Sequence, residues 1–434
     1  MAGEADTIFA AASGAGRAAV AVLRLSGPGS AAILRGLCGR LPVARRATLM
    51  TLRDGTGGML DRALVLWFAA PRSYTGEDAG ELHLHAGPAV IAGVAERLAE
   101  LGARPAEPGE FTRRAFLNGR MDLLAAEAVA DLVAAETAEQ RRQALRQLEG
   151  GLGQVYAQWT ARLTRLVAQQ EALIDFPDDA LPPEIDLGMA AERAALRAEI
   201  AAHLDDGRRG ERLRDGLVFA VAGPPNVGKS TLVNVLAGRE VAIVSPVAGT
   251  TRDVLEARLV LDGVPVTMLD MAGLRQTADP IEAEGVRRAA ARMASADLVL
   301  VLRQSGSAAM AVEMSGGGRT LRVATKCDLG GAVLAGEIAV SAATGYGIDR
   351  LHQSLAQAAR ELTGIGGPPA LTRPRHRAAL AEAAAALAAS ATAGLPELCG
   401  EELRLALAAL GRITGRVGTE AILDSVFGQF CIGK

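Results

Sequence analysis

The chain has 434 residues, half of them hydrophobic and 22% charged, with a formal net charge of −3. That length exceeds one ordinary core and predicts two or three domains; the composition excludes a disordered chain. The charge excludes a globally basic nucleic-acid binder, while leaving room for a local basic patch. Cys38, Cys327, Cys399 and Cys431 form no Cys-x-x-Cys pair, so neither a zinc site nor a disulfide framework is expected, and a reducing cytoplasm is the expected location. The N-terminus "MAGEADTIFAAASGAGR" lacks the apolar core of a signal peptide, and no apolar run reaches the roughly 18–20 residues of a membrane span.

Residues 1–120 alternate short β-like runs with turns. "AAVAVLRLSG" (18–27) and "RALVLWFAA" (62–70) read as strands, and "PAVIAGVAERLAELG" (88–102) as an amphipathic helix ending on Gly102. This predicts an α+β domain. From 121 to 212 the pattern turns helical. Leu145, Leu148, Leu152, Val155, Trp159, Leu163 and Leu166 recur at spacings of three and four and predict one helical stripe, interrupted by Gly150, Gly151 and Gly153. It stops at "DFPDDALPP" (175–183), and a second helix carrying Leu196, Ile200 and Leu204 follows. Between 213 and 366 the apolar runs 217–223, 264–273, 296–302, 321–326 and 337–342 alternate with helices or loops, a doubly wound α/β pattern. Residues 367–434 are helical again. Helices on both sides of the α/β segment need a shared core, so the expectation is one discontinuous helical domain with the α/β domain inserted in it.

"GPPNVGKST" (223–231) fits the phosphate-loop pattern through Gly223, Gly228, Lys229 and Ser230, after an apolar strand and at a helix start. Backbone N–H groups around Asn226, Val227 and Thr231 are expected to surround phosphates, Lys229 to reach the terminal ones, and Ser230 to ligate Mg²⁺. In "GTTRD" (249–253), Gly249 and a threonine belong to a loop able to reach that metal. "DMAG" (270–273) supplies Asp270 behind the metal and the Gly273 amide for the γ-phosphate. In "TKCD" (325–328), Asp328 can accept two hydrogen bonds from guanine and Lys326 can cover its ring. "SAATGYG" (341–347) places Ser341 in the last base-contacting loop. Five motifs in this order predict a GTP-hydrolysing enzyme. Thr325 and Met271 depart from the Asn and Thr usual at their positions. Leu274 occupies the place where small GTPases carry a water-positioning Gln. Glu282 is the nearest substitute, although spacing alone favours a solvated acid at a helix start. Asn226, facing the carbonyls of "SPVAGT" (245–250), can hold a monovalent cation where an arginine finger would otherwise reach.

His83 and His85 in "ELHLHAG" have no third metal ligand nearby and are expected to be structural. The closing "CIGK" (431–434) looks like a prenylation box, but Lys lies outside the usual final residues. A reactive thiol or a packed cysteine at 431 remain as readings, on a tail expected to return to the N-terminal domain of its own or a partner's chain.

These motifs, with "DTIFAAASGAGRAAVAVLRLSG" (6–27), "PRSYTGEDAGELHLHAGPAV" (71–90), "PGEFTRRAFLNGRMDLLAAEAVADLVAAET" (108–137) and the terminal "CIGK", resemble the MnmE (TrmE) family of tRNA-modification GTPases over essentially the whole length. The resemblance implies a multidomain α+β and α/β protein. Its parts would be an N-terminal folate-binding, dimerising α+β domain (1–120), a discontinuous helical domain (121–212 and 367–434) and an inserted Ras-like P-loop GTPase domain (213–366). It implies GTPase domains that meet within a homodimer, with K⁺ in place of an arginine finger, held by Asn226, Thr250 and the backbone carbonyls of Ser245 and Val247. Mg²⁺ would sit on Ser230 and Thr251, Glu282 would orient water, and Arg252 and Arg275 would belong to the switch machinery. A tetrahydrofolate derivative (5,10-methylene or 5-formyl) would be held by Arg24, Glu81, Arg120 and Lys434, with Cys431 facing the chemistry. The implied partners are tRNA and an FAD-dependent protein, MnmG (GidA), in a heterotetramer that installs a (carboxymethyl)aminomethyl group at the 5-position of the wobble uridine. The competing expectation is a ribosome-assembly GTPase switch; the N-terminal α+β domain and "CIGK" weigh against it, since no RNA-binding module is visible.

Overall fold

A computed structural model describes residues 6–14, 16, 18–175, 183–238, 256–270, 296–308, 319–367, 369–415, 420–428 and 430–433. They group into two compact units, one of residues 1–130 with 411–434 and one of residues 131–410.

The first unit is built on six strands: β1 (Thr7–Ala11), β2 (Val20–Ser26), β3 (Thr48–Arg53), β4 (Met59–Phe68), β5 (Ala79–His85) and β6 (Ala103–Pro105). They lie in the order β3-β4-β5-β2-β1-β6, with only the β1–β6 pair parallel. Alternation along the strands gives the sheet two different faces. Leu23, Leu25, Leu82 and Leu84 point to the side covered by the helices Ser30–Cys38 and Pro88–Glu100, where Leu34, Leu37, Val94 and Leu98 complete the core. Each such side chain contributes about 1.5–3 kcal/mol on burial. Arg24, between Leu23 and Leu25, and Glu81, just before Leu82, point to the other face and stand directly opposite each other across β2 and β5. There the helix Glu110–Leu117 packs Phe111 on Ile8 and Ala10. Its Arg114 forms ion pairs with Asp6 (2.6 Å), Glu110 (2.9 Å) and Glu77 (3.4 Å), which fixes the start of β1 against that helix. His85 Nδ1 lies 2.7 Å from the buried Asp61 carboxylate. No group of metal-binding side chains occurs among the described residues.

The chain's last segment returns to this same unit. The helix Glu420–Phe427 and Phe430 pack Val426, Phe427 and Phe430 on Leu123 and Ala126. Ile432 forms an antiparallel bridge with Pro108. Gly433 follows in the left-handed region (φ +96°), and a Cβ there would lie 2.2 Å from the Ala11 carbonyl oxygen, so the tail is pressed against the end of β1.

The second unit contains β7 (Leu217–Ala222), β8 (Glu256–Leu261), β9 (Val264–Asp270), β10 (Leu298–Gln304), β11 (Arg319–Thr325) and β12 (Ile338–Ala339), ordered β12-β11-β10-β7-β9-β8. All pairs are parallel except β8 with β9. The strand β8 has no counterpart among the expected apolar runs, because "EARLVL" carries Glu256 and Arg258 in its first half and only three consecutive apolar residues after them, as suits an edge strand. The expected single stripe over 145–166 is two helices, Ala138–Leu148 and Gly151–Asp175. Gly150 adopts φ +92°, which only glycine tolerates readily, and ends the first helix. Leu145 and Leu148 are accordingly 37% and 38% exposed, whereas Leu152, Trp159, Leu163 and Leu166 are buried. Thr137 and Gln140 cap the first helix reciprocally. Leu196 and Ile200 of the helix Pro183–Leu204 are fully buried; among the described residues no helix is long and apolar enough to cross a membrane.

Candidate functional site

In the second unit, the carboxyl ends of the parallel strands converge on the loop 223–228, where open α/β sheets bind ligands. Gly223 (φ +159°) passes so close to β10 that a Cβ would lie 2.7 Å from the Leu302 carbonyl oxygen, and Gly228 (φ +99°) opens the helix Lys229–Ala237. Lys229 is 8% exposed, and its Nζ donates to the carbonyls of Gly223 and Pro224, both at 3.0 Å. The ammonium thus lies within the curve of the loop, where a phosphate would replace those carbonyls as its partner. Ser230 Oγ donates to Asp270 Oδ2 at 2.5 Å. Two oxygens so placed, one hydroxyl and one buried carboxylate at a strand end, are the hard ligands Mg²⁺ prefers, so the side chains present fit that ion. Val227 is buried, while Asn226 and Thr231 are exposed.

The base-motif segment abuts the same loop. Lys326 Nζ donates to the Asn226 carbonyl at 2.7 Å, and both residues have positive φ, 55° and 59°. The departure at 325 keeps a tie to the phosphate loop: Thr325 Oγ1 lies 2.8 Å from the Val227 carbonyl oxygen and 3.2 Å from that of Arg303. Asp328 is exposed on the single turn Cys327–Leu329. Ser341 is fully buried, and its Oγ accepts from the Thr344 N–H at 3.2 Å. Ser245, Val247, Gly249, Thr250, Thr251, Arg252, Gly273, Arg275 and Glu282 lie outside the described residues, as does Lys434.

In the first unit, Arg24, Glu81 and Arg120 line one cavity of about 240 Å³. Arg24 Nη2 lies 3.2 Å from Glu81 Oε1, and its guanidinium lies over the rings of Tyr74 (5.4 Å) and Phe111 (5.9 Å). The Arg120 stem runs along Gly76, where a Cβ would come within 3.2 Å of it. Sequence reasoning missed Arg45, Arg72, Phe68 and Tyr74, which line the same cavity. Arg45 has φ +61° and lays its guanidinium over Phe68 (5.8 Å), donating to the Arg72 carbonyl. The combination of an aromatic wall, one carboxylate and four guanidinium groups suits a flat heteroaromatic ligand with an anionic tail. Cys431 is exposed on the docked tail, beside the Ile432–Pro108 bridge.

Two family models match stretches of the chain. Residues 7–120 match the model of the GTP-binding protein TrmE N-terminus, and residues 123–431 that of the MnmE helical domain. A tRNA modification GTPase MnmE of Gluconacetobacter diazotrophicus is 57% identical over 432 residues, covering 98% of each chain. The chain belongs to the MnmE family of tRNA modification GTPases. A second MnmE relative, from Granulibacter bethesdensis, is 54% identical over 437 residues and 99% of each chain. Among solved structures, a variant of Aquifex aeolicus Era bound to GDP and aluminium fluoride matches at TM-score 0.26 and 25% identity, over 39% of this chain and 66% of that one. Like other MnmE proteins, the chain is a multidomain α+β and α/β GTPase, and full-length membership sets the ribosome-assembly reading aside.

Proposed function

We propose that this MnmE-family chain is the GTP-hydrolysing subunit of a tRNA wobble-uridine modification complex, with a tetrahydrofolate derivative as one-carbon donor. The observation that supports it most is the pairing, in one chain, of the Lys229–Ser230–Asp270 cradle with a separate Arg24–Glu81–Arg120 cavity. In hydrolysis, water attacks the γ-phosphorus and the bond to the GDP oxygen breaks. Lys229, with amides of the Gly223–Thr231 loop and of Gly249 and Gly273, balances the phosphate charge. Ser230 and Thr251 would hold Mg²⁺, with Asp270 behind the metal as the partner of Ser230, and the ion would supply Lewis acidity at the phosphates. Asn226, Thr250 and the carbonyls of Ser245 and Val247 hold K⁺. Glu282 orients the water, and Arg252 and Arg275 move with the switches. Asp328 and Lys326 take the guanine base, and the fully buried Ser341 holds the loop 341–347 beside it from within. In the other site, Arg24 and Glu81 bind the pterin, Arg120 and Lys434 the anionic tail, and Cys431 faces the one-carbon chemistry. The chain acts in the cytoplasm as a homodimer and assembles with FAD-dependent MnmG.

Two measurements test this. An arginine finger is worth roughly 10³–10⁵-fold in turnover, so substituting K⁺ for Na⁺ is expected to raise GTP turnover by more than about tenfold; equal rates in both salts remove the cation from the reading. A 5-formyl-tetrahydrofolate titration of the whole chain is expected to show binding that Arg24→Ala weakens roughly 10- to 100-fold, the loss of a charged hydrogen bond. Unchanged affinity would clear Arg24 from the site.

A further inference from the structure

The turn that carries Asp328 is exposed, and no hydrogen bond to its carboxylate occurs among the described residues. Something beside it must fix that turn if the acid is to meet a base edge. The end of β10 supplies a buried clamp. Arg303 is 4% exposed, and every N–H of its guanidinium has a partner. Nε donates to Glu337 Oε1 at 2.9 Å, and Nη2 to Glu337 Oε2 at 2.5 Å and to the Ala332 carbonyl at 3.0 Å. Nη1 donates to the carbonyls of Gln304 (3.1 Å) and Ser307 (2.6 Å). Glu337 Oε2 also accepts the Leu334 N–H at 2.9 Å. These hydrogen bonds from Arg303 hold the Glu337 carboxyl below its usual range.

The clamp reaches the strand end before Asp328 as well as the loop after it. Ser305 Oγ donates to the Gly331 carbonyl at 3.0 Å, its N–H to the Thr325 carbonyl at 2.9 Å, and the Gly306 N–H to the Ala332 carbonyl at 3.2 Å. The Arg303 carbonyl accepts from the Thr325 hydroxyl, which also reaches Val227 in the phosphate loop. A buried ion pair is weak support for stability as such, because desolvation offsets its attraction and apolar residues would fill the space as well. Holding a charged, fully bonded pair at this place is better explained by geometry than by stability.

We propose that Arg303 and Glu337 are positioning residues that set discrimination for guanine over hypoxanthine nucleotides by fixing the turn that carries Asp328. Neither touches the nucleotide; they act through residues 328–334. The inference rests on Asp328 reading guanine: its carboxylate would accept from the ring N1–H and the exocyclic 2-amino group, and hypoxanthine keeps the first donor but lacks the second.

The test is titration of the whole chain with GDP and IDP. If wild type binds the two alike, the guanine reading of Asp328 fails, and this inference with it. If wild type prefers GDP, the variants decide. Glu337→Gln places an amide among N–H donors and is expected to weaken GDP by at least about tenfold and IDP by several-fold less, since guanine loses alignment of two charged hydrogen bonds and hypoxanthine of one. Arg303→Lys is expected to do the same, with kcat at saturating GTP little changed. A folded variant that keeps the wild-type GDP-to-IDP ratio, or loses both ligands equally, overturns the proposal. Should both variants unfold, Ser305→Ala removes one tether alone: a ratio reduced by about threefold supports the clamp, at the lower end of a single hydrogen bond, and an unchanged ratio overturns it.

Discussion

Lys229→Ala is expected to lower GTP turnover by about 10²–10³-fold, the range for removing one preorganised charge stabiliser from a transferring phosphoryl group. The side chain is almost wholly buried by the loop that curls around it, and its ammonium is held by the Gly223 and Pro224 carbonyls. Truncation removes the cation and leaves two inward carbonyls without their donor, so an incoming phosphate would meet acceptors where it needs donors. Lys229→Arg is not expected to rescue, because a planar fork does not fit a space shaped around a compact ammonium. Steady-state turnover at saturating GTP, with a melting curve to confirm folding, measures the effect. Activity within about threefold of wild type would mean that Lys229 does not balance phosphate charge, since that role is worth far more.

Gly433→Ala is expected to lift the C-terminal tail from β1. The residue has φ +96°, and the added carbon would lie 2.2 Å from the Ala11 carbonyl oxygen, so the substitution meets both strain and overlap. A strained left-handed residue alone costs about 1–3 kcal/mol, enough to shift the docked fraction by roughly 5- to 150-fold. Residues 430–433 should then become open to carboxypeptidase, and 5-formyl-tetrahydrofolate affinity should fall if Lys434 closes that site. Gly394→Ala, where a Cβ meets nothing within 4 Å, is the matched control. A tail as protected as in wild type would show that β1 yields instead.

The phosphate loop was legible because its chemistry is local. Glycines, lysine and serine fall within nine residues, and a strand and helix flank them. The cavity of the first unit was legible only through the resemblance. Its residues run from Arg24 to Arg120, and Arg45 acquires its place from a positive φ that nothing in "PVARRAT" signals. The Arg303–Glu337 clamp was invisible for the same reason: two charges 34 residues apart read as ordinary surface until β10 and the loop before β12 bring them together. The break at Gly150 was seen as an interruption but not as an end, since spacing alone carries the 3.6-residue period across it. The strand β8 was missed because Glu256 and Arg258 shorten its apolar run to three residues, less than a buried parallel strand shows.

The cluster that joins Leu123 and Ala126 to Val426, Phe427 and Phe430 bears on how the chain is made. About 300 residues separate its two halves, so at the usual 5–20 residues per second a ribosome takes roughly 15–60 s to deliver the second after the first. During that interval the first unit has its sheet but an open apolar patch, and the whole second unit emerges before the patch can close. Nascent chains paused before residue 426 should therefore bind holdase chaperones through the 116–130 region, and release them only once the final helix has left the ribosome and docked.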